Sequence, residues 1–257
     1  MDTLALWQSI AIFFVFIWSG FVRSGLGFGG AVLSLPFLLL IHDQPLVFLP
    51  LVSVHLLVFS SLTIAQPWIA ELARGEKPTF ESNIHWPYLR KILVITIVPK
   101  LLGVFGVINL PNQVVTTFIF VIVLIYGFSY VLQKNFVSNH PAVDLLFLVL
   151  GGYVSGTSLI GAPLIIAVMA RELPRAQLRD TLFALWFILV SIKLAAFAAA
   201  GIDLQWQAHL WLLPAAAIGH VLGLKFHQYS LRVEPKRFMQ WIGAALIAVA
   251  LAGLLQH

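Results

Sequence analysis

The chain has 257 residues, of which 60% are hydrophobic and only 10% charged, and its mean hydropathy is +0.97. A soluble domain carries about a quarter charged residues, so this composition argues against a soluble enzyme or a nucleic-acid binder and for an all-α polytopic membrane protein. Lys and Arg number 15 against 10 Asp and Glu, a formal charge of +5, and in a lipid-embedded chain that excess marks cytoplasmic loops. Cysteine is absent, which removes disulfides, iron–sulfur clusters, thiolate zinc sites and cysteine nucleophiles together.

A membrane helix needs about 20 apolar residues, and the runs are read against that length. The start, MDTLALWQSI, carries an acid and no basic segment, so it does not read as a cleaved signal peptide. Residues Leu4–Val22 form the first apolar run, interrupted by Arg23-Ser-Gly-Leu-Gly-Phe-Gly-Gly30 and continued by the short Ala31–Ile41. Glycine and serine clusters inside apolar sequence mark helix breaks. Backbone that leaves the helix at membrane depth must be buried in protein or line a cavity. The expectation is a hairpin that enters and leaves by one side.

Three crossing helices are expected next, at Leu46–Ile64, Ile92–Leu110 and Val114–Leu132. The hydrophilic stretch Gln66–Arg90 is too short to be a domain. Val143–Val154 and Pro163–Ala170 follow, 12 and 8 residues on either side of Ser155-Gly-Thr-Ser-Leu-Ile-Gly-Ala162. Each arm is too short to cross alone, and the pair reads as a second hairpin. Three more crossings are expected at Thr181–Ala200, Leu204–Leu224 and Phe238–Leu255. The eight tryptophans mostly flank these spans and read as interfacial anchors.

The order of features repeats. Gly20-Phe-Val22 matches Gly152-Tyr-Val154, and Leu51-Val-Ser-Val-His-Leu56 matches Leu189-Val-Ser-Ile-Lys-Leu194. The basic loop residues fall in alternate connections: Arg74, Lys77, Arg90 and Lys91; Lys134; Arg171, Arg175 and Arg179; Lys225, Arg232, Lys236 and Arg237. The intervening connections hold none. By the positive-inside rule the basic set is cytoplasmic. Each half is then one hairpin plus three crossings, and an odd number of crossings turns the second copy over. The expected architecture is a single transmembrane domain of two inverted repeats, about 1–133 and 140–257, with both chain ends outside. Inverted repeats with broken helices are a transporter arrangement.

Three of the 15 basic residues remain at membrane depth: Arg23, Lys100 and Lys193. His55 and His220 also fall inside expected spans, whereas no Asp or Glu does. A central charge costs about 3 kcal/mol on insertion scales, so such residues are candidates for function. Cations without a buried carboxylate favour an anion as partner. Gly27, Gly29, Gly30, Gly156 and Gly161 would allow close backbone approach. Ser24, Ser155, Thr157 and Ser158 offer hydroxyls, and Ser53 and Ser191 occupy matching places near His55 and Lys193. The expected anion site therefore comprises Arg23, Ser24, Gly27, Gly29, Gly30, Ser53, His55, Ser155, Gly156, Thr157, Ser158, Gly161, Ser191 and Lys193, with Lys100 as a possible addition. His55 is also the proton-coupling candidate, and His220 reads as structural. For each single glycine, close helix packing is an equal alternative; Lys100, Arg23 and, less readily, Lys193 have snorkelling as theirs, and His55 has a neutral, hydrogen-bonded core role. No metal or cofactor is called for, and no nucleotide-binding loop is present.

At both breaks the sequence resembles the TauE/SafE family of sulfite exporters and related anion permeases. The residues that carry the resemblance are Ser24-Gly-Leu-Gly-Phe-Gly-Gly30 with Pro36, Gly152-Tyr-Val-Ser-Gly-Thr-Ser-Leu-Ile-Gly-Ala-Pro163, and the basic loop Leu173-Pro-Arg-Ala-Gln-Leu-Arg-Asp-Thr181. Leu159 and Ala162 stand where a more typical second motif has glycines, and Arg23 is an unusual neighbour for the first. The resemblance implies secondary transport of sulfite or an organosulfonate across the bacterial cytoplasmic membrane. The lipid bilayer and a small anion are the implied partners, nucleic acid is not, and a dimer is one open oligomeric state. The competing readings are an intramembrane serine-type enzyme and a cation carrier or channel. Gly152 lies three residues before Ser155, so the Gly-x-Ser-Gly of rhomboid-type proteases is missing.

Overall fold

The computed structural model describes residues 4–26, 30–77, 83–134, 136–230 and 235–256. Among these residues there is no strand, and ten helices follow in chain order. They are α1 (Leu6–Leu26), α2 (Leu35–Ile41), α3 (Pro45–Ala73), α4 (Trp86–Asn109), α5 (Asn112–Val131), α6 (Pro141–Ser158), α7 (Ala162–Glu172), α8 (Arg175–Ala199), α9 (Trp206–Ser230) and α10 (Pro235–Leu255). Proline opens α2, α3, α4, α6 and α7 in their first turn, where its missing N–H costs nothing.

Seven stretches are long and apolar enough to cross a membrane: Leu6–Gly25, Pro45–Gln66, Trp86–Asn109, Asn112–Val131, Pro141–Ser158, Gln177–Ala199 and Trp206–Phe226. Met239–Leu255 in α10 is a shorter apolar stretch. This corrects the expected lengths at the breaks. Where the sequence suggests a 12-residue arm at Val143–Val154, α6 has 18 residues, about 27 Å at 1.5 Å per residue. Ser155, Gly156, Thr157 and Ser158 stay helical because α4 packs against them at van der Waals distance; a methyl on Gly156 would overlap the Lys100 carbonyl oxygen. The break comes at Leu159, in the left-handed conformation with φ 63°. Likewise α1 runs through Arg23 to Leu26.

Both short helices fold back along the long ones. The Gln8 amide donates to the Ile41 carbonyl at 3.0 Å and the Trp18 indole N–H to the Leu33 carbonyl at 3.1 Å. Residues 30–41 therefore retrace α1 toward its start. In the second half Gly161 lies against Gly151 and Ser155, Ile165 against Gly151, and Arg171 pairs with Asp144 at 2.6 Å. Here α7 retraces α6.

The two halves interlock. α1 runs parallel to α9, with Gly20 against Ala216 and Gly223 against Phe21. α4 runs parallel to α6 in the same manner, with Gly152 against Thr96 and Gly103 against Tyr153. Small residues admit such close backbone contact in membranes. α3 packs on α8, and α5 lies antiparallel to α10, where Gly127 meets Gly243 and Gln240 donates to the Val131 carbonyl. Each hairpin is thus held by a helix of the opposite half.

Candidate functional site

Residues flanking the two helix breaks border one small cavity near the middle of the α3 and α8 spans. Arg23, Gly30, Ala31 and Val32 line it from the first hairpin and Ser155, Leu159 and Ala162 from the second. Leu56 and Ser60 of α3, with Phe183, Trp186 and Val190 of α8, complete the wall. Its volume is about 40 Å³, room for about three water-sized groups at 10–15 Å³ each. Among the described residues no Asp or Glu lines it.

Arg23 is the charge at this cavity. It is 5% exposed, donates from Nη1 to the His55 carbonyl at 3.0 Å, and lies 4.4 Å over the Phe59 ring. Its Nε and Nη2 have no hydrogen-bond partner. A guanidinium has five N–H donors in a rigid fork that matches oxyanions bidentately. A buried cation with open donors is costly to leave unpaired.

Both buried lysines have a different employment. Lys100 Nζ donates to the Ser155 carbonyl at 3.1 Å and to its hydroxyl at 3.0 Å. Lys193 Nζ donates to the Gly156 carbonyl at 2.7 Å and the Thr157 carbonyl at 3.2 Å, 5.2 Å from the Phe197 ring. Both are fully buried. Those three carbonyls belong to the last turn of α6, where the helix has few N–H groups left to offer and the dipole is negative. The lysines close that helix end and do not line the cavity, and Lys100 does not snorkel.

The hydroxyls divide similarly. Ser155 lines the cavity and accepts from Lys100. Thr157 and Ser158 donate back to carbonyls of their own helix, and Ser191 bonds the Phe187 carbonyl one turn back, away from the cavity. Ser24 meets His220 Nδ1. Ser53 is fully buried with an unpartnered hydroxyl. His55 stacks beside Phe16, 4.6 Å between centroids, behind Arg23. Gly30 lines the cavity, and Gly161 packs against Gly151 to hold the second hairpin shut. Gly156 serves the α4–α6 contact. Gly27 and Gly29 lie outside the described residues. Ser60, Trp186, Phe183 and Val190 escape a sequence reading, although Ser60 stands seven residues, two helical turns, after Ser53.

A family model described as sulfite exporter TauE/SafE matches residues 12–254, nearly the whole chain. No curated protein matches the chain, and no solved structure does.

Proposed function

The chain belongs to the sulfite exporter TauE/SafE family, a family of membrane transporters and not of enzymes, and on that premise we propose that it is a secondary transporter of a small sulfur oxyanion. The observation that carries this reading is the Arg23 guanidinium, buried at the cavity between the two hairpins with two nitrogens unpartnered. The anion accepts from those nitrogens, with the Ser60 and Ser155 hydroxyls and the start of α7 at Ala162 around it. A volume of about 40 Å³ suits sulfite; an organosulfonate would require the hairpins to part. The halves act as inverted copies in the bacterial cytoplasmic membrane, basic loops inside, and their rocking opens the cavity to either face in turn.

A cation carrier would place carboxylates where this chain places Arg23. The Ser24–His220 contact is the pairing a serine nucleophile would use, but membership in a transporter family decides against that role.

Counterflow of radiolabelled sulfite into proteoliposomes tests the reading, with Arg23→Gln as the variant. Losing two charge-assisted hydrogen bonds of about 1.5 kcal/mol each should slow flux about a hundredfold. Sodium or potassium counterflow without sulfite counterflow, indifferent to Arg23→Gln, would overturn it.

A further inference from the structure

Beside Arg23 the protein holds two buried histidines that anion binding does not use. His55 of α3 and His209 of α9 are 2% and 4% exposed, and their ring centroids lie 5.2 Å apart. His55 Nδ1 is 2.7 Å from the Leu51 carbonyl oxygen, and His209 Nε2 is 3.1 Å from the Leu204 carbonyl oxygen. A carbonyl only accepts, so each ring carries its proton on that nitrogen. The remaining nitrogens, His55 Nε2 and His209 Nδ1, are then lone pairs, and neither has a partner. Two adjacent buried acceptors with no donor are an arrangement that native interiors avoid. One added proton on either ring turns an unpaired acceptor into a donor.

We propose that His55 and His209 form a proton site that fills when an anion occupies the cavity beside Arg23, so that anion and proton move together. This rests on the anion-transport reading above and adds the coupling ion. The sign follows from the neighbours. Arg23 of α1 and His209 of α9 are the charged and titratable groups acting on His55, and Arg23 also binds the His55 carbonyl. With Arg23 uncompensated, a second positive charge next to it is repelled; with an anion on the guanidinium that repulsion falls. Anion and proton therefore favour each other's binding, and linkage makes the effect reciprocal. The other histidine near Arg23, His220, stands across Phe59 and has Nδ1 engaged by the Ser24 hydroxyl, so it is not a second orphan.

A cleft lies next to the pair. It has a volume of about 620 Å³, is lined by Ser9, Asp203, Gln205, Trp206 and Trp211, and opens at the start of α9. His209 stands in the first turn of that helix, flanked by Ala208 of the same cleft.

The test uses the full chain in proteoliposomes with clamped membrane potential, a trapped pH dye and labelled sulfite, comparing wild type, His209→Gln, His55→Gln and His220→Gln. In wild type and His220→Gln, sulfite entry should carry protons, and a pH gradient of one unit should drive accumulation of about tenfold for one proton per anion. In His209→Gln, sulfite–sulfite exchange at saturating sulfite should stay within about twofold, which also reports an intact fold, while the proton signal falls at least about tenfold. His55→Gln should lose the proton signal as well. Proton movement of wild-type size in both His209→Gln and His55→Gln would overturn the proposal, because a proton riding on the anion itself would survive both changes. Wild-type exchange with no proton signal would overturn this proposal alone. Absence of sulfite exchange in wild type would overturn the transport reading and this one with it.

Discussion

At the end of α6 and at the end of α1 the protein buries positive charge in two different ways. Lys100 and Lys193 aim their donors at carbonyls of the last α6 turn; Lys193 stands in for N–H groups that the terminating helix lacks, and Lys100 adds a second donor to the Ser155 carbonyl that already accepts from Leu159 N–H. Arg23 sits on the last turns of α1 itself and bonds a carbonyl of a neighbouring helix, with two nitrogens left over. The first arrangement is complete without a ligand; the second is not. A cation at membrane depth therefore does not by itself mark a binding site. The donor count that the protein leaves unmet at Arg23 is what the proposed anion site rests on.

Substitutions can break this contrast, and the largest effect is expected at the lysines. Lys193→Met leaves the Gly156 and Thr157 carbonyls buried without a donor, at about 1–3 kcal/mol each. Thermal unfolding in detergent should therefore show the largest loss of stability in this variant, with a smaller loss in Lys100→Met, whose Ser155 carbonyl keeps the Leu159 N–H. Arg23→Gln should do the reverse: flux falls about a hundredfold while the melting temperature holds or rises, since an uncompensated buried charge is removed. A melting-temperature loss at Arg23→Gln equal to that at Lys193→Met would erase the distinction.

A smaller effect is expected from helix contact. Gly219→Ala puts a methyl against the Ile17 carbonyl oxygen, and overpacking of this kind costs about 1–3 kcal/mol. The α1–α9 contact should loosen, read as lower stability and slower flux with unchanged sulfite affinity. Smallest is Asp144→Asn at the half-buried mouth of the second hairpin. Arg171 there keeps Glu172 as a second partner at 2.6 Å, so stability and flux should both stay near wild type. A large loss of flux would show that the hairpin mouth takes part in gating.

The places of both hairpins are legible in the sequence, because Gly and Ser clusters interrupt apolar runs there. Their lengths are not. Ser155–Ser158 read as breakers, yet they continue α6 because α4 packs close enough to need residues that small. The buried cations are legible too, as lone charges in apolar spans. Their employment depends on which carbonyls lie within reach, and Lys193 meets Gly156 across 37 residues of chain. His209 stays hidden for a plainer reason. It stands in the first turn of α9, where a histidine looks interfacial, and only the pairing of α3 with α9 brings it to His55.

The most direct measurement is sulfite-induced thermal stabilisation of three purified proteins: wild type, Arg23→Gln and Lys193→Met. If the guanidinium anchors the anion, sulfite should raise the melting temperature of wild type and of Lys193→Met from its lower baseline, and leave Arg23→Gln unmoved. Equal stabilisation of Arg23→Gln and wild type, or a loss of the response in Lys193→Met alone, would contradict it.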